Sequence, residues 1–380
     1  MIPFLVTVIG ILGLIHWFLY ARLVSAFAIS DPTLLWVLRF LAVFLAVSYI
    51  LARVWERHLP EPLVHAMHWI SSVWLGLMWE LLWLTLLFYV IKLILLLTGF
   101  WGKLDPATIL AIGRYSALTV IGVAVLLGSW GIKNAFGRAN VIEVKVPVKH
   151  SSPELRHLRI ALASDFHAGV IIGPKEIARM SRQIMSLKPD IILLPGDLVD
   201  RSADDIMHLV DSFKLMQAPL GIYGTTGNHE YYAGLEGALA FCKAAGIQML
   251  MNEKVELPNG LVIAGIEDRT AISMHRSRPS VTQFLADIPA DKSVILMNHQ
   301  PETHEALEAG KAGADLVVSG HTHGGQIWPF TLLTKATYRF QHGYYSLDGS
   351  GHIIVSDGIG NWGPPMRLKA PPEIVLITLE

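Results

Sequence analysis

Residues 158–167 read LRIALASDFH and residues 191–201 read IILLPGDLVDR. Each is a short, mostly apolar run that stops at an aspartate, the pattern of a buried strand bounded by a turn. Working outward, Gly221–Thr225, Leu261–Ile266, Ser293–Met297, Asp315–Ser319 and His352–Ser356 share it, and Val141–Val148 offers a possible first strand. Helical patterns near 174–187, 203–216, 233–246 and 302–310 fall between several of these runs. The alternation predicts an α/β domain. In open α/β sheets the functional loops gather at the carboxyl ends of the strands.

Five of the predicted strand ends carry metal-ligand side chains. Asp165 and His167 follow the first run, Asp197 the second, and Asn228 with His229 the third. His299 follows Ser293–Met297, and His321 and His323 follow Asp315–Ser319. Carboxylate, amide and imidazole donors without cysteine suit Mn, Fe or Zn. A single ion rarely uses so many. Two ions about 3.5–4 Å apart, sharing one carboxylate, clamp a phosphoryl group and generate hydroxide from water. Gly196, Gly227, Gly320, Gly324 and Gly325 let the backbone turn tightly beside such a crowded centre.

The front of the chain has a different texture. Residues 1–140 hold 14 of the 61 Asp, Glu, Lys and Arg residues and nine of the eleven tryptophans. Apolar segments near 3–22, 34–53, 67–98 and 113–133 are long enough to cross a membrane, and the third is long enough for two, so four or five spans are expected. The later spans argue against a cleaved signal peptide. With four spans, Arg53 and Arg57 after the second and Lys133, Arg138 and Lys145 after the last favour a cytoplasmic N-terminus and catalytic domain. Glu80 is a costly carboxylate inside an apolar span, and Arg39 at similar depth is its expected ion-pair partner. The expected boundaries are a transmembrane region at 1–136, a connector at 137–157 and a catalytic domain at 158–380. One cysteine, Cys242, excludes an intrachain disulfide, and a net charge of -1 gives no reason to expect a nucleic acid partner.

The strings Asp165-Phe-His167, Gly196-Asp197-Leu-Val-Asp200-Arg201, Gly227-Asn228-His229-Glu230, Asn298-His299 and Gly320-His321-Thr-His323-Gly324 resemble the five signature blocks of the calcineurin-like metallophosphoesterases, in the family's order. The resemblance implies two mixed β-sheets sandwiched together and flanked by helices, behind an N-terminal α-helical transmembrane bundle. It implies that Asp165, His167 and His323 hold one divalent ion, that Asn228, His299 and His321 hold another, and that Asp197 bridges them. His229 would contact the phosphate and protonate the leaving oxygen, with Asp200 orienting it and Arg201 binding the phosphate. Asn228–Gly234, Gly320–Phe330, Gly358-Ile-Gly and Pro371-Pro-Glu-Ile resemble the bacterial membrane-associated branch of the family. That branch implies attack by metal-activated hydroxide on a phosphodiester or pyrophosphate, in some relatives of a lipid precursor such as UDP-2,3-diacylglucosamine.

A lipid or lipid-linked substrate and the bilayer itself are therefore the expected partners, in a bacterial inner membrane, with manganese among the expected metals. The apolar, aromatic stretch from Ile327 to Phe340 reads equally as a lip for acyl chains and as core. His342 carries no assigned role. Two other classes compete: a transporter or signalling protein regulated by a phosphoesterase-like domain, which predicts a function for Glu80, and a metal-free binding scaffold. The complete ligand set and the His229–Asp200 pair weigh against the scaffold.

Overall fold

The computed structural model describes residues 2–56, 58–149, 153–201 and 203–380; Arg57, counted among the loop charges above, lies outside them. The chain divides into two compact units, Met1–Lys133 with Gly363–Met366, and Asn134–Trp362 with Arg367–Glu380.

The first unit contains helices α1 (Ile2–Phe27), α2 (Pro32–Trp55), α3 (Glu61–Leu97) and all but the last two residues of α4 (Pro106–Ala135). All four are long and apolar enough to cross a membrane. The α1–α2 turn is set locally: Pro32 opens α2, and the Asp31 side chain accepts from the Leu34 amide at 2.7 Å. Large apolar side chains such as Trp36, Phe40 and Val43 point outward, as a lipid-facing surface requires. The third apolar segment forms one helix of 37 residues. At about 1.5 Å per residue it is roughly 55 Å long, beyond a hydrocarbon core of about 30 Å. It is a single long helix, not two spans. The expected ion pair between Arg39 and Glu80 does not form: Glu80 is fully buried and accepts from Trp83 Nε1 at 2.7 Å, while Arg39 Nε donates to Tyr20 Oη at 3.0 Å. Trp83 lies one helical turn from Glu80 and reaches it first.

The second unit contains two six-stranded sheets. One runs β1 (Asn140–Val146), β12 (Glu373–Leu379), β2 (Arg159–Leu162), β3 (Ile191–Pro195), β4 (Ile222–Thr225), β5 (Gln248–Met249). The other runs β10 (Gly343–Ser346), β11 (His352–Val355), β9 (Leu316–Ser319), β8 (Ser293–Met297), β7 (Leu261–Gly265), β6 (Glu253–Glu256). Both are mixed. The central strands β2–β3–β4 and β7–β8–β9–β11 are parallel, and antiparallel pairs join β12 to β2, β6 to β7 and β10 to β11.

Side-chain alternation builds the layers. Ile160, Leu162, Ile191 and Leu193 of the first sheet meet Ile263, Ile295, Leu316 and Val318 of the second in the middle core. Their neighbours point the other way. Ala161, Ile192 and Leu194 pack under Ile177, Met180 and Phe241 of the flanking helices, and Val262, Val294 and Val317 pack under Phe284, Ala306 and Ala309. Strands buried on both faces explain why these runs read as continuously apolar. Each of the larger of these side chains, Val, Leu, Ile, Met or Phe, contributes roughly 1.5–3 kcal/mol of burial.

Candidate metal centre

Parallel strands aim their carboxyl ends in one direction, and those of β2, β3 and β4 and of β8 and β9 carry every ligand candidate. The loops that leave them are tightly bent. Asp165, His167, Asp197, His321 and His323 all adopt positive φ, between 48° and 72°, a left-handed conformation that side-chain-bearing residues avoid. Such backbone concentrates at functional sites because surrounding structure holds it there. A Cβ at Gly227 would collide with the Asp197 carboxylate, and one at Gly320 with that of Asp165, so both close approaches require glycine.

The structure brings all seven expected ligands together in two overlapping sets. Ligand atoms of Asp165, His167 and His323 lie within 4.8 Å of one another, as do those of Asp197, His299 and His321. Within the first set His167 Nε2 lies 3.0 Å from His323 Nε2, and His323 Nε2 lies 3.5 Å from Asp165 Oδ1. Asn228 Oδ1 adjoins the second set, 3.1 Å from His321 Nδ1. Asp197 faces both: its Oδ2 lies 3.8 Å from His167 Nε2 and 3.2 Å from His299 Nε2.

This donor set fits divalent ions. His299 Nδ1 donates to the Pro195 carbonyl at 2.7 Å, so the buried Nε2, which has no hydrogen-bond partner, turns toward Asp197. A nitrogen lone pair facing a carboxylate oxygen is repulsive unless a cation lies between them. Burial opposes charge on His299, yet Asp197 and Asp165 hold its pKa well above the ordinary range; the pocket demands positive charge at that point. His299 is also the usual metal-ligand arrangement, one ring nitrogen fixed by a backbone carbonyl and the other directed inward.

His229 stands beside this cluster. Its Nδ1 lies 2.6 Å from Asp200 Oδ1, its backbone amide donates to Asp197 Oδ1 at 2.9 Å, and its ring meets His167 edge-on. Burial disfavours its charge, but Asp197 and the Asp200 hydrogen bond outweigh that and push it up to about 9. His229 also falls within ligand distance of His167 and Asp197. Because Asp200 engages Nδ1, only Nε2 is left to face outward. Arg201 is placed toward Asp205, with Nε 3.9 Å from Oδ2.

Three residues outside the expected set hold the site in shape. The fully buried Glu230 accepts from the amides of Gly227, Asp197, Leu198 and Val199 at 2.6–3.2 Å, tying the Asp197 and Asn228 loops together. Its position three residues after Gly227, at the start of a helix, is a capping pattern visible in the sequence. The fully buried Arg367 donates to the carbonyls of Asp357 and Gly360 and lies 3.0 Å from His323 Nδ1. The Tyr338 hydroxyl lies 3.1 Å from His321 Nε2.

His342, unassigned from sequence, belongs to a separate cluster with Asp357 and Glu373 whose ligand atoms also fall within 4.8 Å of one another. Its Nδ1 lies 3.0 Å from Asp357 Oδ1, and that carboxylate, against the effect of burial, raises His342 to about 9. A raised folded-state pKa makes the pair stabilising below the ordinary value of 6.5, and that contribution is lost as pH rises through about 9. The difference in Tm between the wild type and His342→Ala is therefore expected to be largest below pH 6.5 and to vanish above pH 9. A difference independent of pH would show that packing alone is at work.

Residues 158–325 match the family model described as calcineurin-like phosphoesterase. An uncharacterized metallophosphoesterase of Campylobacter jejuni is 30% identical over 376 residues, covering 98% of this chain and 97% of its own length. One from Aquifex aeolicus is 34% identical over 263 residues, 68% of this chain and 98% of its own. A Danio rerio protein named as a transmembrane protein with metallophosphoesterase domain is 32% identical over 276 residues, 70% of this chain and 63% of its own. With the motif residues gathered at the carboxyl ends of strands from both sheets, and with four helices long and apolar enough to span a bilayer, the chain belongs to the calcineurin-like metallophosphoesterases and is a membrane protein.

Proposed function

We propose that the protein hydrolyses a phosphodiester or pyrophosphate bond of a lipid or lipid-linked substrate at a two-metal centre. Asp165, His167 and His323 would hold one ion, Asn228, His299 and His321 the other, with Asp197 shared. Bound there, two divalent ions supply Lewis-acid stabilisation of the phosphoryl oxygens and acidify water. The chain's own residues do the rest. His229, its Nδ1 held by Asp200, would present Nε2–H to the leaving oxygen and donate the proton as the P–O bond breaks. Asp200 holds the ring in the tautomer that makes this possible, and Arg201 adds charge for the phosphoryl group.

The observation that carries the lipid reading is an apolar surface joined to the site. The stretch from Ile327 to Phe340 splits: Ile327 and Phe340 are buried, whereas the helix between them, Phe330–Thr337, exposes Phe330, Leu332 and Leu333. Leu332 and Leu333 are 60% and 56% exposed. Tyr338, which caps this helix, reaches His321. Beside His229, Tyr232 and Trp362 present rings at 5.5 and 6.3 Å, and both are exposed. Exposed leucines and aromatics of this kind mark an interaction surface, and aromatics favour the membrane–water interface.

Four spans and the loop charges Arg53, Lys133 and Arg138 favour a catalytic domain in the cytoplasm, here of a bacterial inner membrane. The double variant Leu332→Glu, Leu333→Glu is expected to cut hydrolysis of lipid-linked pyrophosphates presented in mixed micelles at least tenfold. It should leave turnover of the soluble diester bis(p-nitrophenyl) phosphate within about twofold, since no ligand is touched. Equal losses on both substrates would remove the lipid reading.

A further inference from the structure

His342, Asp357 and Glu373 come from three places in the chain that the two sheets bring to one corner. His342 directly precedes β10, Asp357 lies two residues beyond the end of β11, and Glu373 opens β12 of the other sheet. The antiparallel β10–β11 ladder pairs Gly343 with Val355, so the chain segments just outside it, which carry His342 and Asp357, leave the sheet side by side. The Asp357 amide donates to Glu373 Oε1 at 2.9 Å, and the Glu373 amide donates to the Gly358 carbonyl at 3.2 Å, which ties β12 to the same corner.

Asp357 and Glu373 are each only 4% exposed. Two neighbouring carboxylates taken out of water are costly unless positive charge joins them. Burial first, and Asp357 second, raise Glu373 above the ordinary carboxylate range. Arg367 does not answer that need, because its nitrogens face backbone carbonyls, Asn361 Oδ1 and His323 Nδ1 and hydrogen-bond to neither carboxylate. Asp357 Oδ1 is buried and accepts no hydrogen bond among the described residues, although His342 Nδ1 lies 3.0 Å from it. A nitrogen and an oxygen that close, off the hydrogen-bonding direction, are placed as two ligands of one ion. Ligand atoms about 2.0–2.2 Å from a shared ion sit roughly 3–4 Å from one another. Glu373 Oε2 lies 3.8 Å from the same nitrogen. With Oε1 held by a backbone amide, Oε2 is the oxygen left to turn toward the cluster, as hydrogen bonds orient ligating carboxylates.

We infer that His342 Nδ1, Asp357 Oδ1 and Glu373 Oε2 bind a further divalent ion, outside the seven ligands of the candidate centre. One imidazole and two carboxylates suit zinc or manganese. The ion clamps β10 and β11 of one sheet to β12 of the other. The His342 side chain is 46% exposed, so the ion enters from solvent and water completes its coordination. Fewer protein ligands and that exposure make this site weaker than the buried centre, and it fills last. Without the ion a proton on His342 supplies the positive charge, so the pH-dependent Tm difference given above applies to protein held in chelator.

The test is equilibrium dialysis of metal-stripped, detergent-purified full-length protein against manganese chloride, with bound manganese counted for the wild type, His342→Ala and Asp357→Asn. His342 is half-exposed and the Asp357 substitution keeps the side-chain volume, so both variants are expected to fold. The wild type is expected to take up one more ion per chain than either variant, each of which should bind that ion at least tenfold more weakly. The remaining ions should be equal in number in all three proteins, which would show the variants to be folded with the candidate centre intact. Because the readout is a difference between proteins, it stands whether or not that centre hydrolyses a phosphoester. Equal counts in all three proteins would overturn the inference. So would a loss confined to one variant; in His342→Ala alone it would mark an adventitious ion on an exposed histidine.

Discussion

Asp197→Asn is expected to lose essentially all phosphoesterase turnover, on the order of a thousandfold or more, equivalent to roughly 4 kcal/mol of transition-state stabilisation. The size of the effect follows from where the carboxylate sits. Asp197 Oδ2 faces His167 on one side and His299 on the other, so the substitution removes one negative charge from both ligand sets at once. Burial raises the pKa of Asp197, but His299, His229 and His167 overcome that and hold it well below the ordinary carboxylate range, so the charge is present at any working pH. Metal analysis of the variant should show both ions weakened together. Full occupancy of one site with loss of the other would mean that Asp197 serves a single ion. The fold should survive, because the amide keeps the volume and Glu230, which ties down this loop through backbone amides, is untouched.

His229→Ala is expected to separate chemistry from metal binding. If the ring acts as the proton donor, its removal costs roughly 10²–10⁴-fold in rate, the usual contribution of a positioned acid, with both ions retained. The hydrogen bond that Nδ1 donates to Asp200 is the reason to expect a proton donor rather than a ligand. Asp200→Asn should lower the rate less, since the ring remains and only its orientation and charge are disturbed. The proximity of His229 to His167 and Asp197 makes the metal measurement decisive: an ion lost in His229→Ala would place this histidine among the ligands.

The ligand candidates were legible in the sequence because their chemistry is local: each follows a short apolar run, and Asp, Asn and His beside glycine have few other reasons to recur at strand ends. The left-handed backbone at five of them was not, since φ is imposed by the packing of one loop against the next. Arg367 was equally hidden. Its contact with His323 spans 44 residues of sequence, and a lone arginine in a Gly- and Pro-rich stretch carries no pattern. Glu230 could have been read from its capping position, but its hold on the Asp197 loop depends on a neighbour 33 residues away.

The secondary structure shows the same divide. Strands buried on both faces were visible, whereas β6, with three charged residues in four, and β10, at a sheet edge, gave no continuous apolar run. The run Glu373–Leu379 is apolar enough to be recognised, but its place between β1 and β2 follows only from the closed sandwich. The single helix expected at 203–216 is instead two short helices with a 3-10 turn between them, and the one expected at 233–246 begins earlier and breaks at Gly234, where φ is 103°. Arg39 and Glu80 share a depth but not a partner, because depth is read from sequence and helix rotation is not.

The two-metal centre is tested most directly by turnover of detergent-purified protein that has been stripped of metal and resupplied with manganese, zinc or iron, with bound ions counted alongside. Stripped protein is expected to be inactive, and hydrolysis of bis(p-nitrophenyl) phosphate to rise as the ion count approaches two per chain. Protein that binds two ions and hydrolyses neither this diester nor any lipid-linked diester or pyrophosphate, or that remains active without metal, would contradict it.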